Sequence, residues 1–330
     1  MKTNHTQDKQ TPPISPSNRR SFLAASVAAC GAATLAASTQ AASSDNDSGG
    51  KSAPEFRYCL NTSTINGSAV PISDQIKIAA KAGYDSLEIW LRDVGKFTNG
   101  GGKIKELKAE IDDLGLGIDS AIAFGNWIVD DEEKRKSGLE NCKRDMEIVA
   151  ALGGTRIAAP PTGATREAGL DLNAAGDRYA ALLEVGKQTG VLPQVELWGF
   201  SKNLSKLEEV LYVAAAANHP DACILLDVYH LYKGGSDFSN IGLIPGHKMH
   251  CLHMNDYPDM PRDKINDADR VYPGDGVAPM DHILQTLVAG GFAGTLSLEL
   301  FNRDYYKLPP QEVANTGLEK MKQCVARALA

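Results

Sequence analysis

Four short apolar runs in the second half of the chain each end on a side chain that can bind a hard metal ion. They are Leu192–Glu196 (LPQVE), Cys223–Asp227 (CILLD), Met249–His253 (MHCLH) and Thr295–Glu299 (TLSLE). Three carboxylates and one imidazole make a donor set suited to a divalent cation that prefers oxygen. Glu196, Asp227, His253 and Glu299 are therefore the candidate metal ligands. Glu196 and Glu299, the outer members of the series, can also carry protons. Opposed across one cation, they would remove and return the proton beside a substrate carbonyl while the cation stabilises the enediolate. Taken singly, each residue reads equally well as a cap or a salt-bridge partner. Four in succession, spaced by 31, 26 and 46 residues, argue for one site.

Chemistry of this kind needs a rim on which strand ends meet. Strands buried on both faces read as continuous apolar runs, and parallel α/β folds place their active sites at the carboxyl ends of such strands. Earlier runs at Phe56–Asn61, Ser86–Trp90, Gly117–Ile122 and Arg156–Ala159 bring the strand count to eight. Helical stretches lie between them at 73–82, 103–114, 131–152, 171–189, 203–218, 279–290 and 310–329, several stopped by glycine. The unit after Asp227 is short and irregular. About eight strand–helix units predict a single (β/α)8 TIM barrel over residues 55–330.

Further residues fall where a rim would bring them near a substrate. His230, in Asp227-Val228-Tyr229-His230, suits a hydrogen bond to a substrate hydroxyl, with a backbone-bonded loop histidine as the alternative. Arg270 suits a substrate oxygen, a brace on a glutamate or a surface salt bridge. Glu88, in Ser86-Leu87-Glu88-Ile89-Trp90, can point into the mouth. Trp90, Trp127 and Trp198 follow strand-like runs, where their rings suit the apolar face of a sugar or plain packing. The longest loop, 255–279, holds Arg270 and Pro273-Gly274-Asp275-Gly276, and a loop of that length in a compact domain is usually functional.

Residues 1–54 have a different character. Asn18-Arg19-Arg20-Ser21-Phe22-Leu23 leads a small, alanine-rich run, the pattern of a twin-arginine export signal over 1–42, and 43–54 reads as a polar linker. These features predict handling by the twin-arginine machinery and a periplasmic or other extracytoplasmic destination. Val27-Ala28-Ala29-Cys30 also resembles a lipobox that would tether the chain through Cys30. The net charge of −7 and the lack of a basic block exclude a phosphate-backbone partner. Cys59, Cys223 and Cys251 sit in apolar strands and read as small core residues, with no disulfide framework.

The series Glu, Asp-x-x-His, His, Glu resembles the sugar phosphate isomerase/epimerase family, also called xylose isomerase-like TIM barrels. The resemblance extends over residues 55–330 and takes in Gly83-Tyr84-Asp85-Ser86-Leu87-Glu88, His253-Met254-Asn255-Asp256 and the Pro273-Gly274-Asp275-Gly276 turn. It implies a manganese-type ion, with Mg²⁺, Co²⁺ or Zn²⁺ as alternatives. It also implies Glu196 and Glu299 as acid/base residues, and substrate contacts from His230 and Arg270. A metal-dependent epimerase or isomerase of a small sugar or keto-sugar is the leading expectation, and a 3-keto-glycoside lyase or dehydratase the alternative. Two departures from the ketose epimerases, Lys202 in place of a second glutamate and a longer loop from His253 to Arg270, separate this chain from their substrate. An abasic-site endonuclease on the same barrel would need more histidines than these seven. A non-catalytic sugar-binding protein is the remaining class.

Overall fold

A computed structural model describes residues 56–330; the expected export signal, the expected linker and the lipobox-like segment with Cys30 lie outside the described residues. The chain alternates strand and helix in the order β1 (Arg57–Asn61), α1 (Ile72–Ala82), β2 (Ser86–Trp90), α2 (Leu91–Asn99), α3 (Ile104–Asp113), β3 (Gly117–Ile122), α4 (Glu132–Ala151), β4 (Arg156–Ala159), α5 (Leu172–Thr189), β5 (Leu192–Glu196), α6 (Leu207–Ala216), β6 (Ile224–Asp227), α7 (Val228–Gly234), β7 (Met249–Met254), α8 (Met280–Ala289), β8 (Thr295–Leu298) and α9 (Pro310–Ala328). Every strand pairing is parallel, in the order β3-β2-β1-β8-β7-β6-β5-β4, which makes a nearly closed TIM barrel with its seam between β3 and β4.

Local punctuation explains most boundaries. Gly83 (φ +91°) and Gly190 (φ +74°) stop α1 and α5 in the left-handed conformation that a side chain disfavours. The carboxylates of Asp131 and Asp171 cap α4 and α5 by accepting backbone N–H bonds. The sequence places a helix from 203, but α6 begins at Leu207. Asn203 instead uses its side chain to hold the loop between β4 and α5, donating to the carbonyls of Ala164 and Glu167 and accepting from the N–H of Gly169 and Leu170.

Alternation along each strand sorts its side chains into two environments. One set packs outward against the helices: Leu60, Leu87, Ile89, Val195, Leu226, Leu252, Leu296 and Leu298 all belong to the main core. The other set faces the barrel interior, where Trp90, Ile122, Ala158, Leu225 and Cys251 form a smaller cluster. Polar members of the inner set need partners there. At one level Asp119 accepts from Arg57, Ser86 and Thr295 at 2.7 to 2.9 Å. It can do so because the β2–β3 register shifts beside it, pairing Leu87 with Ile118 but Glu88 with Ser120. At the other level lies the acid cluster. Cys59, Cys142, Cys223, Cys251 and Cys324 are all free and buried, as expected of core thiols.

Candidate active site and metal centre

At the carboxyl ends of the strands, Glu196, Asp227, His253 and Glu299 converge. His253 Nδ1 lies 3.1 Å from Glu299 Oε2, 3.6 Å from Asp227 Oδ2 and 3.7 Å from Glu196 Oε1. All four side chains are buried. Donor atoms from Asp227, His253 and Glu299 fall within 4.8 Å of one another. The other ring nitrogen, Nε2, is 3.0 Å from Glu88 Oε2.

This geometry passes a chemical test for a cation. Neither nitrogen of His253 has a well-formed hydrogen bond, although both are buried. With the Nε2 proton turned toward Glu88, the Nδ1 lone pair faces three carboxylates, which as anions only accept. A second ring proton on Nδ1 can serve one of these oxygens at a time, whereas a metal ion meets the lone pair and all three carboxylate oxygens together. Charge points the same way, since four buried carboxylates (Glu88, Glu196, Asp227, Glu299) gather around His253 and one buried guanidinium, that of Arg270, reaches only Asp227 and Glu299 of them. The residues present fit a divalent cation.

Each acid is held differently. Burial resists ionisation of Asp227, but Arg270, His230 and His253 outweigh it and hold its carboxyl well below the usual range. Its Oδ1 accepts from the His230 backbone N–H at 2.7 Å, which makes Asp227 the N-cap of α7. Asp-x-x-His is thus a cap as well as a site motif. Burial also opposes ionisation of Glu88, yet His253, Ser297 and Ser120 lower its pKa. Glu196 makes no hydrogen bond among the described residues, and His253 favours its charged form only by its nearby charge. Burial, then repulsion from Glu299, Asp227 and Glu88, outweighs His253 and pushes it up to about 8. Glu299 is pinned by Asn61 at 3.0 Å on Oε1 and by Arg270 at 3.0 Å on Oε2.

Arg270 proves to be a buried brace, 1 % exposed, so the surface salt-bridge reading is wrong. Nη1 spans Asp227 Oδ2 (2.8 Å) and Glu299 Oε2, while Nη2 reaches Asp267 Oδ1 (2.6 Å) and His230 Nε2 (3.2 Å). A guanidinium only donates, so His230 Nε2 accepts and the ring proton sits on Nδ1, which has no protein partner. Burial favours this neutral form of His230. Asp256 holds the loop in place by accepting backbone N–H bonds from Tyr257, Gly274, Gly276 and Ala278.

A cavity of about 580 Å³ opens over the acids, and its lining includes Glu196, Glu299, His230 and Arg270 together with Trp90 and Trp198. Two expectations fail here. Glu88 does not face the mouth: it is fully buried under His253, accepting from Asn61 (2.9 Å) and Ser297 (2.7 Å). Trp127 does not line the cavity either. Its indole N–H donates to the Pro160 carbonyl at 2.8 Å and its ring packs against Tyr179, beside Cys142 and Met146 of α4. Asn61 and Asn255, whose amides hold Glu299 and Asp227, escaped the sequence reading. Asn61 left a signal, because it too is a polar residue closing an apolar strand.

Comparison with known proteins agrees with this architecture. An inosose isomerase from Halalkalibacterium halodurans is 26 % identical over 288 residues, covering 82 % of this chain and 97 % of that protein. A 3-dehydroshikimate dehydratase from Pseudomonas putida is 25 % identical over 252 residues, 76 % of this chain and 39 % of that protein. Among solved structures, an IOLI protein with a binding zinc atom superposes with a TM-score of 0.78 at 23 % identity, covering 83 % of this chain and 99 % of that one. The family profile described as xylose isomerase-like TIM barrel matches residues 76–324. The chain belongs to the xylose isomerase-like TIM barrel family.

Proposed function

We propose that this protein is a divalent-metal-dependent isomerase or epimerase of a sugar or keto-sugar that moves a proton at the carbon beside a carbonyl. One observation carries the reading: the buried, unpartnered His253 Nδ1 facing oxygens of Glu196, Asp227 and Glu299. Those four residues would hold the ion, Mn²⁺ in the first instance because three of the four are carboxylates. The zinc of the structural neighbour makes Zn²⁺ its main competitor. When bound, the ion supplies Lewis-acid polarisation of a carbonyl oxygen. Glu196 and Glu299 close β5 and β8, on either side of β6 and β7, and serve as the two proton carriers. Glu299 is held at both oxygens by Asn61 and Arg270, whereas Glu196 makes no hydrogen bond among the described residues and is the less constrained of the two. His230 lines the cavity and is assigned to a substrate oxygen, its buried Nδ1 having no protein partner. The inosose isomerase relative supports the isomerase class and a ring-shaped polyhydroxy substrate.

The dehydratase relative favours a second reading, in which the same proton removal is followed by loss of a leaving group. Proton NMR of ketoses and 3-keto-glucosides in D₂O with the Mn²⁺-loaded protein tests both. Deuterium beside the carbonyl of a retained sugar, lost in Glu299→Gln, is the expected result. An unsaturated sugar with a released group would select the elimination. The proton-transfer reading is overturned if neither exchange nor product forms with any divalent ion.

A further inference from the structure

The wall of the cavity is unusual for a site that would hold only a small polyol. Phe301, Trp90, Phe124, Trp198, Phe200 and His230 form an arc in which each ring touches the next. Successive centroids are 6.0, 5.3, 5.9, 5.2 and 5.7 Å apart. Arg270 closes the arc, with its guanidinium 5.0 Å from the Phe301 ring and its Nη2 3.2 Å from His230. The six rings come from the ends of five strands, so nothing local in the chain requires them to meet. The inner members are satisfied parts of the fold; the Trp90 indole N–H, for example, donates to Asn61 at 2.8 Å.

Phe124 and Phe200 differ, at 43 % and 47 % exposed. Both line the same cavity as Glu196 and Glu299. Large apolar side chains left exposed together beside a polar site mark a surface that is covered when a ligand is present. Polar groups above the acids are segregated: Asn266, Asp267 and Arg303 come from the loops after β7 and β8, whereas beyond Glu196 the β2, β3 and β5 side offers only Trp90, Ile122, Phe124, Trp198 and Phe200. The C–H face of one sugar ring can cover a single aromatic ring, but a monosaccharide seated over the acids leaves Phe124 and Phe200 at the lip uncovered, and its rim hydroxyls find no polar partner among those rings. Cavities of roughly 300–1,000 Å³ hold drug-sized ligands, and 580 Å³ leaves room beyond a single sugar ring.

We propose that the outer part of this aromatic collar, Phe124, Trp198 and Phe200, binds an aryl group, so that the substrate is a carbonyl-bearing sugar ring carrying an aromatic aglycone. This rests on the reading that Glu196 and Glu299 act on a carbonyl-bearing ring. The sugar part lies over the acids and the aglycone stacks at the lip, in the offset or edge-on contacts that aromatic rings prefer.

Isothermal titration of the Mn²⁺-loaded protein with 4-nitrophenyl 3-keto-β-D-glucoside and with methyl 3-keto-β-D-glucoside isolates the aglycone, since the two share their carbonyl ring. Burying one aryl ring against three others predicts tighter binding of the aryl glycoside by about tenfold or more. That ratio should fall toward one in Phe124→Ala and Phe200→Ala. Phe200→Leu, which keeps an apolar side chain, guards against a folding defect, checked by thermal melting; its ratio should fall between the two. Equal binding of both glycosides by the parent protein, or a ratio the three variants leave intact, would overturn the proposal. Proton–deuterium exchange on the same two glycosides is read separately. Its absence from both counts against the proton-transfer function and leaves the binding ratio to judge the collar.

Discussion

Glu88 and Arg270 carry the argument at the scale of single residues. Both are buried beside the four convergent side chains, and neither meets the cavity as a free charged group. Glu88 sets the orientation and proton of His253 from below, while Arg270 ties Asp227 to Glu299 and His230 from the side. Carboxylates behind a ligating histidine commonly alter metal affinity by about 10–100-fold. Glu88→Gln keeps the shape and removes the charge, so Mn²⁺ affinity measured by titration calorimetry should drop within that range. An unchanged affinity would show that Glu88 has no part in holding the imidazole. Trp127 teaches the opposite lesson. Its sequence context matches that of Trp90, but a hydrogen bond to Pro160 and contact with Tyr179 make it core.

Among the elements, the loop after β7 is the most consequential. Its length suggested a functional role, and it is firmly built: Asp256 gathers four backbone N–H groups and an antiparallel bridge joins Asp256 to Val271. Asn302 then fixes the carbonyl of Arg270 at 2.9 Å. A β-carbon at Gly276 would collide with the Tyr257 carbonyl and the Asp256 carboxylate, so only glycine lets the turn close here. Helix α4 carries a different kind of residue. Asp145 is largely buried near Trp127 and Cys142, and burial, eased only in part by Arg144, pushes its pKa up to about 6 from 3.8. A raised carboxyl pKa means that the folded state binds more protons than the unfolded one between those values. Its stabilising contribution is complete below about pH 4 and is lost as pH rises through 6. Asp145→Asn should therefore stabilise the protein at pH 7, by about 1–2 kcal/mol after allowance for solvent access. The gain should vanish at pH 4. Urea unfolding of the pair at both pH values checks this, and an equal effect at the two would refute it.

For the molecule as a whole, the acid cluster links metal to stability. Without a cation, burial disfavours a charged His253, but Glu299, Glu88 and Asp227 outweigh that and raise its pKa well above the ordinary value. Loading an ion at Nδ1 must displace any proton held there, so affinity should weaken as pH falls. An ion that binds only the folded barrel adds about 2.7 kcal/mol when present at 100 times its Kd. Mn²⁺ should accordingly raise the thermal midpoint and a chelator reverse the rise. A midpoint indifferent to Mn²⁺, Zn²⁺, Mg²⁺ and Co²⁺ alike would remove the metal from the reading.

Local signals in the chain were enough to predict the order of the eight strands, the helices other than α2 (Leu91–Asn99), and the three carboxylates that meet at His253. Apolar runs, glycine stops and aspartate caps act within a few residues of themselves. Six of the eight strands therefore begin where the sequence places them, and the candidate ligands appear as polar residues closing apolar runs. The barrel settled everything that depends on which way a side chain points. Alternation allows either face, and only register with strands distant in sequence sends Glu88 and Ser297 inward beneath His253 while Leu87 and Leu298 go outward. The collar is the extreme case, because rings from five strand ends become neighbours only when the sheet curls round to bring them together.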